Sequence, residues 1–196
     1  MPKALSHFFA YLSRMRFIRR WGLMRNTLEE NIQEHSLQVA LIAHVLAVIG
    51  RDICGRDLDP ERAMALGAYH EVSEVMTGDL PSPIKHHNRR LTAAYGQLED
   101  AARDRLLGML PAALRPAYEP LVSPGPADAD LLLLVKAADK LSAYLKCVEE
   151  LKGGNQEFSE AEAAIGRDLA AIDLPEVTYF MEHFAPSFSL TLDELT

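Results

Sequence analysis

The sequence predicts an all-α fold, a single bundle of roughly seven or eight helices. Three observations carry this expectation. Apolar residues recur three and four positions apart almost everywhere. Period-two runs rich in Val, Ile and Thr are essentially absent. Helix-starting and helix-stopping residues punctuate the chain at spacings of a few helical turns. The 196 residues suit one domain, taken as 1–196.

Ala4 to Met15 reads as a short first helix. Phe17 to Asn31, with Trp21-Gly22 and Arg25-Asn26, reads as a structured loop. Glu34 to Gly50 is the next helix, stopped by Gly50. It is apolar almost all round, through Leu37, Val39, Leu41, Ile42, Val45, Leu46 and Ile49, as befits a helix buried mid-domain. Asp59-Pro60 starts another, with Asp as cap and Pro in the first turn, running to about Met76. Asp79-Leu80-Pro81-Ser82-Pro83 is expected to be loop, because two prolines in three residues oppose a regular helix. Asn88 to Leu110 is helical and more polar. The proline-rich stretch from Pro111 to Pro126 is expected to be an exposed connection. Ala127 to Lys152 is a long helix ended by Gly153-Gly154, and shorter helices near 159–172 and 176–184 close the chain.

Composition narrows the function classes. Apolar residues make up 48% and charged residues 24%, which suits a soluble globular chain and not a disordered one. A net charge of −8 disfavours binding to a nucleic acid polymer, which needs phosphate neutralisation by basic residues. It leaves room for a small anion held by local arginines. Cys54 and Cys147 form no CxxC pair, so neither a disulfide framework nor a thiolate zinc site is expected. The basic N-terminal segment lacks the apolar run of a signal peptide. The strongly apolar stretch Val39 to Ile49, interrupted by His44, is taken as too short to span a bilayer. No membrane association and a cytoplasmic location are therefore expected.

Three polar sites stand where packing alone would place apolar residues. His35 opens the most apolar helix. His70 and Glu74 are four apart on one helical face, with Glu71 one position round. Asp139 shares a face with Leu132, Val135 and Ala143. Singly, each has an ordinary structural explanation: a hydrogen-bonded core histidine, a solvated helix end, and an ion pair to Lys136 or Lys140. Jointly, two imidazoles and two carboxylates on three helices can converge on a divalent transition metal. Four protein ligands leave coordination positions open for water and substrate.

The order His35 … His70-Glu71 … Asp139 resembles the ligand pattern of the HD-domain metal-dependent phosphohydrolases. Ser6-His7-Phe8-Phe9, Arg20-Trp21, Glu34 to Ala40, Ser73-Glu74-Val75, Thr77 to Pro81, Lys136 to Asp139, Tyr144 to Cys147, Phe180-Met181-Glu182 and Pro186-Ser187-Phe188 narrow the likeness. They are similar to the bacterial 5′-deoxynucleotidases of that superfamily, over nearly the whole chain.

The resemblance implies hydrolysis of deoxyribonucleoside 5′-monophosphates to deoxynucleoside and phosphate. It also implies a cytoplasmic homodimer with one divalent ion per active site, Co(II) foremost and Mn(II) or another transition metal as substitute. His35, His70, Glu71 and Asp139 are then the metal ligands. Glu74 is the acid/base group, and Arg20 and Asp79 complete the catalytic set. Substrate contacts are expected from Arg20, Trp21, Asp79, Leu80, Pro81 and Ser82, together with His35, Glu71 and Asp139. Arg20 can grip the phosphate with two parallel hydrogen bonds, Trp21 can stack on any base, and Asp79 can accept from the sugar 3′-hydroxyl. The chain departs from the family's His-Asp dyad at Glu71, whose extra methylene carries the carboxylate ~1.5 Å further out. Three outcomes are open: bidentate binding, a displaced metal or a lost one, with the substrate pocket intact. Two other readings compete: a dNTP triphosphohydrolase using Arg16, Arg19, Arg20, Arg25 and Lys85, and a nucleotide-binding protein whose altered dyad has lost catalysis.

Overall fold

The computed structural model describes residues 5–85 and 87–196. Among them the regular structure is helical, and the extended contact is one isolated bridge between Arg19 and Asn31. The all-α expectation is met.

Helix α1 (Phe8–Leu12) is followed by a 3-10 stretch from Ser13 to Phe17. The first helix is thus shorter than the sequence suggests, and Ala4 lies outside the described residues. Burial of Phe8 and Met15 anchors this segment, and that spacing does not require an α-helix. Residues 18–31 form a strap, the expected structured loop. Its base is closed by Arg20 N–H donating to Glu30 O and Ile32 N–H donating to Ile18 O, both at 3.0 Å.

Helix α2 (Ile32–Asp52) begins at a capping box. Asn31 Oδ1 accepts from the Gln33 and Glu34 amides, and Glu34 reaches back to the Asn31 amide. The helix is 21 residues long and, by length and composition alone, would cross a bilayer. This corrects the expectation that its apolar run is too short. Burial explains the apolarity here, since Val39, Ala43, Leu46 and Ala47 are completely enclosed. They pack with residues of α3, α8 and α10 in one hydrophobic core.

Helix α3 (Pro60–Tyr69) starts at Asp59, whose side chain accepts from the Arg62 amide at 2.9 Å. It crosses α2 closely: a Cβ on Gly67 would lie 2.9 Å from Ala40 Cα, so only glycine fits there. The helix ends at Tyr69, not near Met76, and a turn over Glu71–Ser73 leads into the single-turn α4 (Glu74–Thr77). His70 Nδ1 takes the Gly67 carbonyl at 2.6 Å, in competition with the backbone hydrogen bond that would extend the helix. This turn sits between two cores, with Leu66 in the first and Val72 in the second.

Gly78 has φ +73, a value that favours glycine, and its carbonyl accepts from Tyr95 Oη at 2.9 Å. Asp79–Pro81 is loop, but Ser82–Lys85 makes one helical turn, α5. The loop expectation is corrected there, because Pro83 falls in the first turn, where its missing N–H costs nothing. Helix α6 (Arg89–Gly108) is capped by Asn88. Helix α7 (Arg115–Val122) lies inside the proline-rich stretch expected to be only a connection. Pro116 begins it and Val122 is buried in the second core, so the stretch is partly structural. The long α8 (Ala129–Lys152) runs beside α2, and α9 (Ser159–Ala170) and α10 (Pro175–His183) close that side. Cys54 is exposed, Cys147 buried, and both are free thiols.

Candidate metal centre

His35 comes from the first turn of α2, His70 from the end of α3, Glu71 from the turn after it, and Asp139 from the middle of α8. Their ligand atoms all lie within 4.8 Å of one another. His35 Nε2 and Asp139 Oδ1 are 3.0 Å apart, and His70 Nε2 and Glu71 Oε1 are 3.5 Å apart. With metal–ligand bonds of about 2.1 Å, donors at right angles stand about 3.0 Å apart and opposite donors about 4.2 Å, so a contraction of about half an ångström closes the set around one ion.

The tautomer of His70 suits the same purpose. His70 Nδ1–H donates to the Gly67 carbonyl, which leaves Nε2 bare. His35 Nδ1 lies 3.0 Å from Ser142 Oγ, and that hydroxyl donates to Gln38 Oε1 at 3.0 Å. Both Nε2 atoms are buried without a hydrogen-bonding partner. Two imidazoles and two carboxylates gathered this closely are a group that could hold a transition-metal ion. Burial lowers the His35 pKa to about 4, so the ring is neutral and ready to coordinate at physiological pH.

Asp139 is not fully enclosed; its side chain is 37% exposed. Burial raises its pKa, but the neighbouring His35, His70 and Arg20 outweigh that and hold the carboxyl well below its usual range. It does not pair with Lys136 or Lys140 as a structural ion pair would; Lys140 binds Asp168 at 2.6 Å. Glu71 is likewise disfavoured by burial yet kept ionised by His70 beside it. Its carboxylate lies within the cluster.

Glu74 is buried at the start of α4, and its Oε2 has no partner. Burial, then the Glu71 charge, push its pKa far above the ordinary carboxylate range. The continuous helical face expected for His70 and Glu74 does not exist, because α3 ends at Tyr69 and a turn separates the two residues. The turn nevertheless keeps Glu74 beside Glu71.

Arg20 projects from the strap into the same place. Its Nη1 is 3.0 Å from Glu30 Oε2 and 2.5 Å from His35 Nδ1, and its Nη2 is 3.9 Å from Asp139. A cavity of about 240 Å³ opens beside it, lined also by Arg19, Gly22, Glu29 and Glu30. Trp21 has φ +56, unusual for a bulky residue, and its ring rests on Phe158 at 5.3 Å between centroids. Asp79 is half-buried, and burial raises its pKa against the pull of Arg20. Leu80 and Pro81 are half-buried, while Ser82 is exposed at the start of α5. Sequence reasoning missed Glu30, Ser142 and Gln38. Ser142 and Gln38 left a trace in the sequence, as polar residues one turn beyond Asp139 and His35 on the same helices.

A helical bundle that gathers two histidines and two carboxylates from three helices has the architecture of the HD-domain metal-dependent phosphohydrolases. Comparison with known proteins agrees. Residues 7–188 match the family model described as 5′-deoxynucleotidase YfbR-like, and the chain belongs to that family. It is 50% identical over 191 residues to a 5′-deoxynucleotidase of Vibrio cholerae serotype O1, covering 97% of this chain and 98% of that one. It is 48% identical over 192 residues to a 5′-deoxynucleotidase of Photorhabdus temperata, covering 98% of both chains. Among solved structures, an HD-domain phosphohydrolase from Listeria innocua shares the fold at TM-score 0.80 and 22% identity, over 93% of this chain and 88% of that one. A cyanophage S-2L HD phosphohydrolase bound to dA and one catalytic zinc ion shares it at TM-score 0.61 and 19% identity, over 93% and 96% of the two chains.

Proposed function

We propose that this protein is a metal-dependent phosphomonoesterase that hydrolyses deoxyribonucleoside 5′-monophosphates to deoxynucleoside and inorganic phosphate. The observation that carries this reading is the four-donor cluster, with its two bare imidazole nitrogens, beside a single arginine in a chain of the 5′-deoxynucleotidase family. His35, His70, Glu71 and Asp139 hold one divalent transition metal, with Co(II) preferred and Mn(II) or Zn(II) as substitutes. The ion, when bound, polarises a phosphoryl oxygen and lowers the pKa of bound water.

The chain's own side chains do the rest. Arg20 leaves Glu30 and His35 to grip two phosphate oxygens. Glu74, at its unpartnered Oε2, handles the proton that passes between the attacking water and the departing 5′-oxygen. Water adds to phosphorus, the P–O5′ bond breaks, and the 5′-oxygen leaves protonated. Trp21 supplies a base-tolerant stacking face, and Asp79, at the head of the Leu80-Pro81-Ser82 loop, accepts from the 3′-hydroxyl.

The whole chain is proposed to form one HD-type domain that works as a cytoplasmic homodimer. The test is phosphate release from a panel of deoxynucleoside monophosphates, ribonucleoside monophosphates and dNTPs, with Co(II), Mn(II) and Zn(II) supplied in turn. Release of triphosphate, or no release with any metal, overturns the reading.

A further inference from the structure

The polar residues of α8 form a stripe. Asp139, Ser142, Lys146 and Glu150 are spaced three, four and four apart, which places them on one helical face. At 1.5 Å per residue the stripe is about 16 Å long. Its first half serves the metal donors, through the approach of Asp139 and Ser142 to His35. Its second half is deeply buried, with Lys146 6% and Glu150 2% exposed, and it serves the strap.

Glu150 Oε2 accepts from the Thr27 amide at 2.8 Å and from Asn155 Nδ2 at 2.8 Å, while Oε1 accepts from the Leu28 amide at 3.1 Å. Lys146 Nζ binds both Glu150 and the Leu28 carbonyl. Asn155 also donates to the Arg25 carbonyl at 2.7 Å. The strap has little apolar burial of its own, since Leu23 and Leu28 are 77% and 73% exposed. It is held by these polar contacts and by the Trp21 ring on Phe158. A buried ion pair adds little net stability compared with apolar packing, but it does fix geometry. Four donors converging on one carboxylate leave it a single low-energy position.

We propose that Glu150, locked by Lys146, is a positioning residue for nucleotide recognition: it sets the register of the strap on α8 and thereby the placement of Arg20 and Trp21 relative to the metal donors. The proposal rests on the reading of Arg20 and Trp21 as phosphate and base contacts. One rigid helix thus carries both a metal ligand and the anchor of the substrate-binding loop.

The test compares full-length wild type with Glu150→Gln and the milder Asn155→Ala. Trp21 is the only tryptophan in the chain, so its emission and its quenching by acrylamide report the strap directly. In Glu150→Gln the KM for a deoxynucleoside monophosphate is expected to rise on the order of tenfold, the scale of one lost charge-assisted hydrogen bond. The turnover number is expected to fall by a smaller factor than KM rises, because Arg20 also stands in the catalytic set. Co(II) affinity is expected to be unchanged, and Trp21 emission to shift with increased quenching. Asn155→Ala is expected to show the same changes, smaller, and it decides the matter if Glu150→Gln fails to fold. Unchanged KM and unchanged Trp21 emission in a folded variant overturn the proposal, as does a loss of Co(II) affinity in step with the loss of activity. If wild type hydrolyses no deoxynucleoside monophosphate, the proposed function fails, while the Trp21 signal still decides whether Glu150 holds the strap.

Discussion

Glu71→Asp removes one methylene and draws the carboxylate back by about 1.5 Å. In the structure Glu71 Oε1 stands 3.5 Å from His70 Nε2 and belongs to the donor cluster. Retraction would carry the carboxylate out of that cluster by far more than the tolerance of about 0.2 Å that coordination allows. It would then no longer reach an ion held by the other three donors. That loss is expected to weaken Co(II) binding by at least the ~10–100-fold typical of a lost outer-sphere partner. The assay is competitive titration of Co(II) against a chelator, read by the visible absorbance of the bound ion, with deoxynucleoside monophosphate hydrolysis followed in parallel. Equal or tighter Co(II) binding by Glu71→Asp would show that the site is built to the depth of an aspartate. The geometric reasoning would then fail.

Asp139→Ala is expected to abolish stoichiometric metal and activity together, as metal analysis of the purified protein would show; retained metal would make Asp139 a mere partner of His35 and Arg20. Glu74→Gln is expected to keep metal and nucleotide bound while turnover falls on the order of 100-fold, the lower range for general acid–base catalysis. Loss of metal in that variant would move Glu74 into the ligand set. Acid should undo the strap anchor. Burial alone would raise the Glu150 pKa, but Lys146, Asn155 and the two strap amides lower it to about 2. Its folded pKa is therefore depressed, so its stabilisation is complete above the unfolded value near 4.5 and is lost as pH falls from there through about 2. The difference in melting temperature between wild type and Glu150→Gln should accordingly shrink over that window, and a constant difference would refute the assignment.

Much of this was written in local signals. Helical period, the cap at Asp59-Pro60 and the glycine stop after Lys152 set the fold class and most helix positions, because these depend on residues a few positions apart. The metal donors could be singled out for a related reason: a carboxylate or imidazole amid apolar neighbours is costly unless something binds it, and the cost shows in the pattern itself. What tertiary structure alone decided involves partners distant in sequence. Gly67 against Ala40 sets how closely α2 and α3 cross, and so brings His70 to His35. The end of α3 at Tyr69 could not be read, because it turns on a side chain capturing its own helix's carbonyl within an otherwise helical run. Likewise α2 is long and apolar enough by composition to cross a membrane, and its packing against α3 and α8 shows which of its residues are buried in the core instead. Glu150, a charged residue near a helix end, looks solvated in the sequence. Only the return of the strap, more than a hundred residues earlier in the chain, shows that it is buried and which amides it holds, because hydrogen bonds between distant segments leave no period to detect.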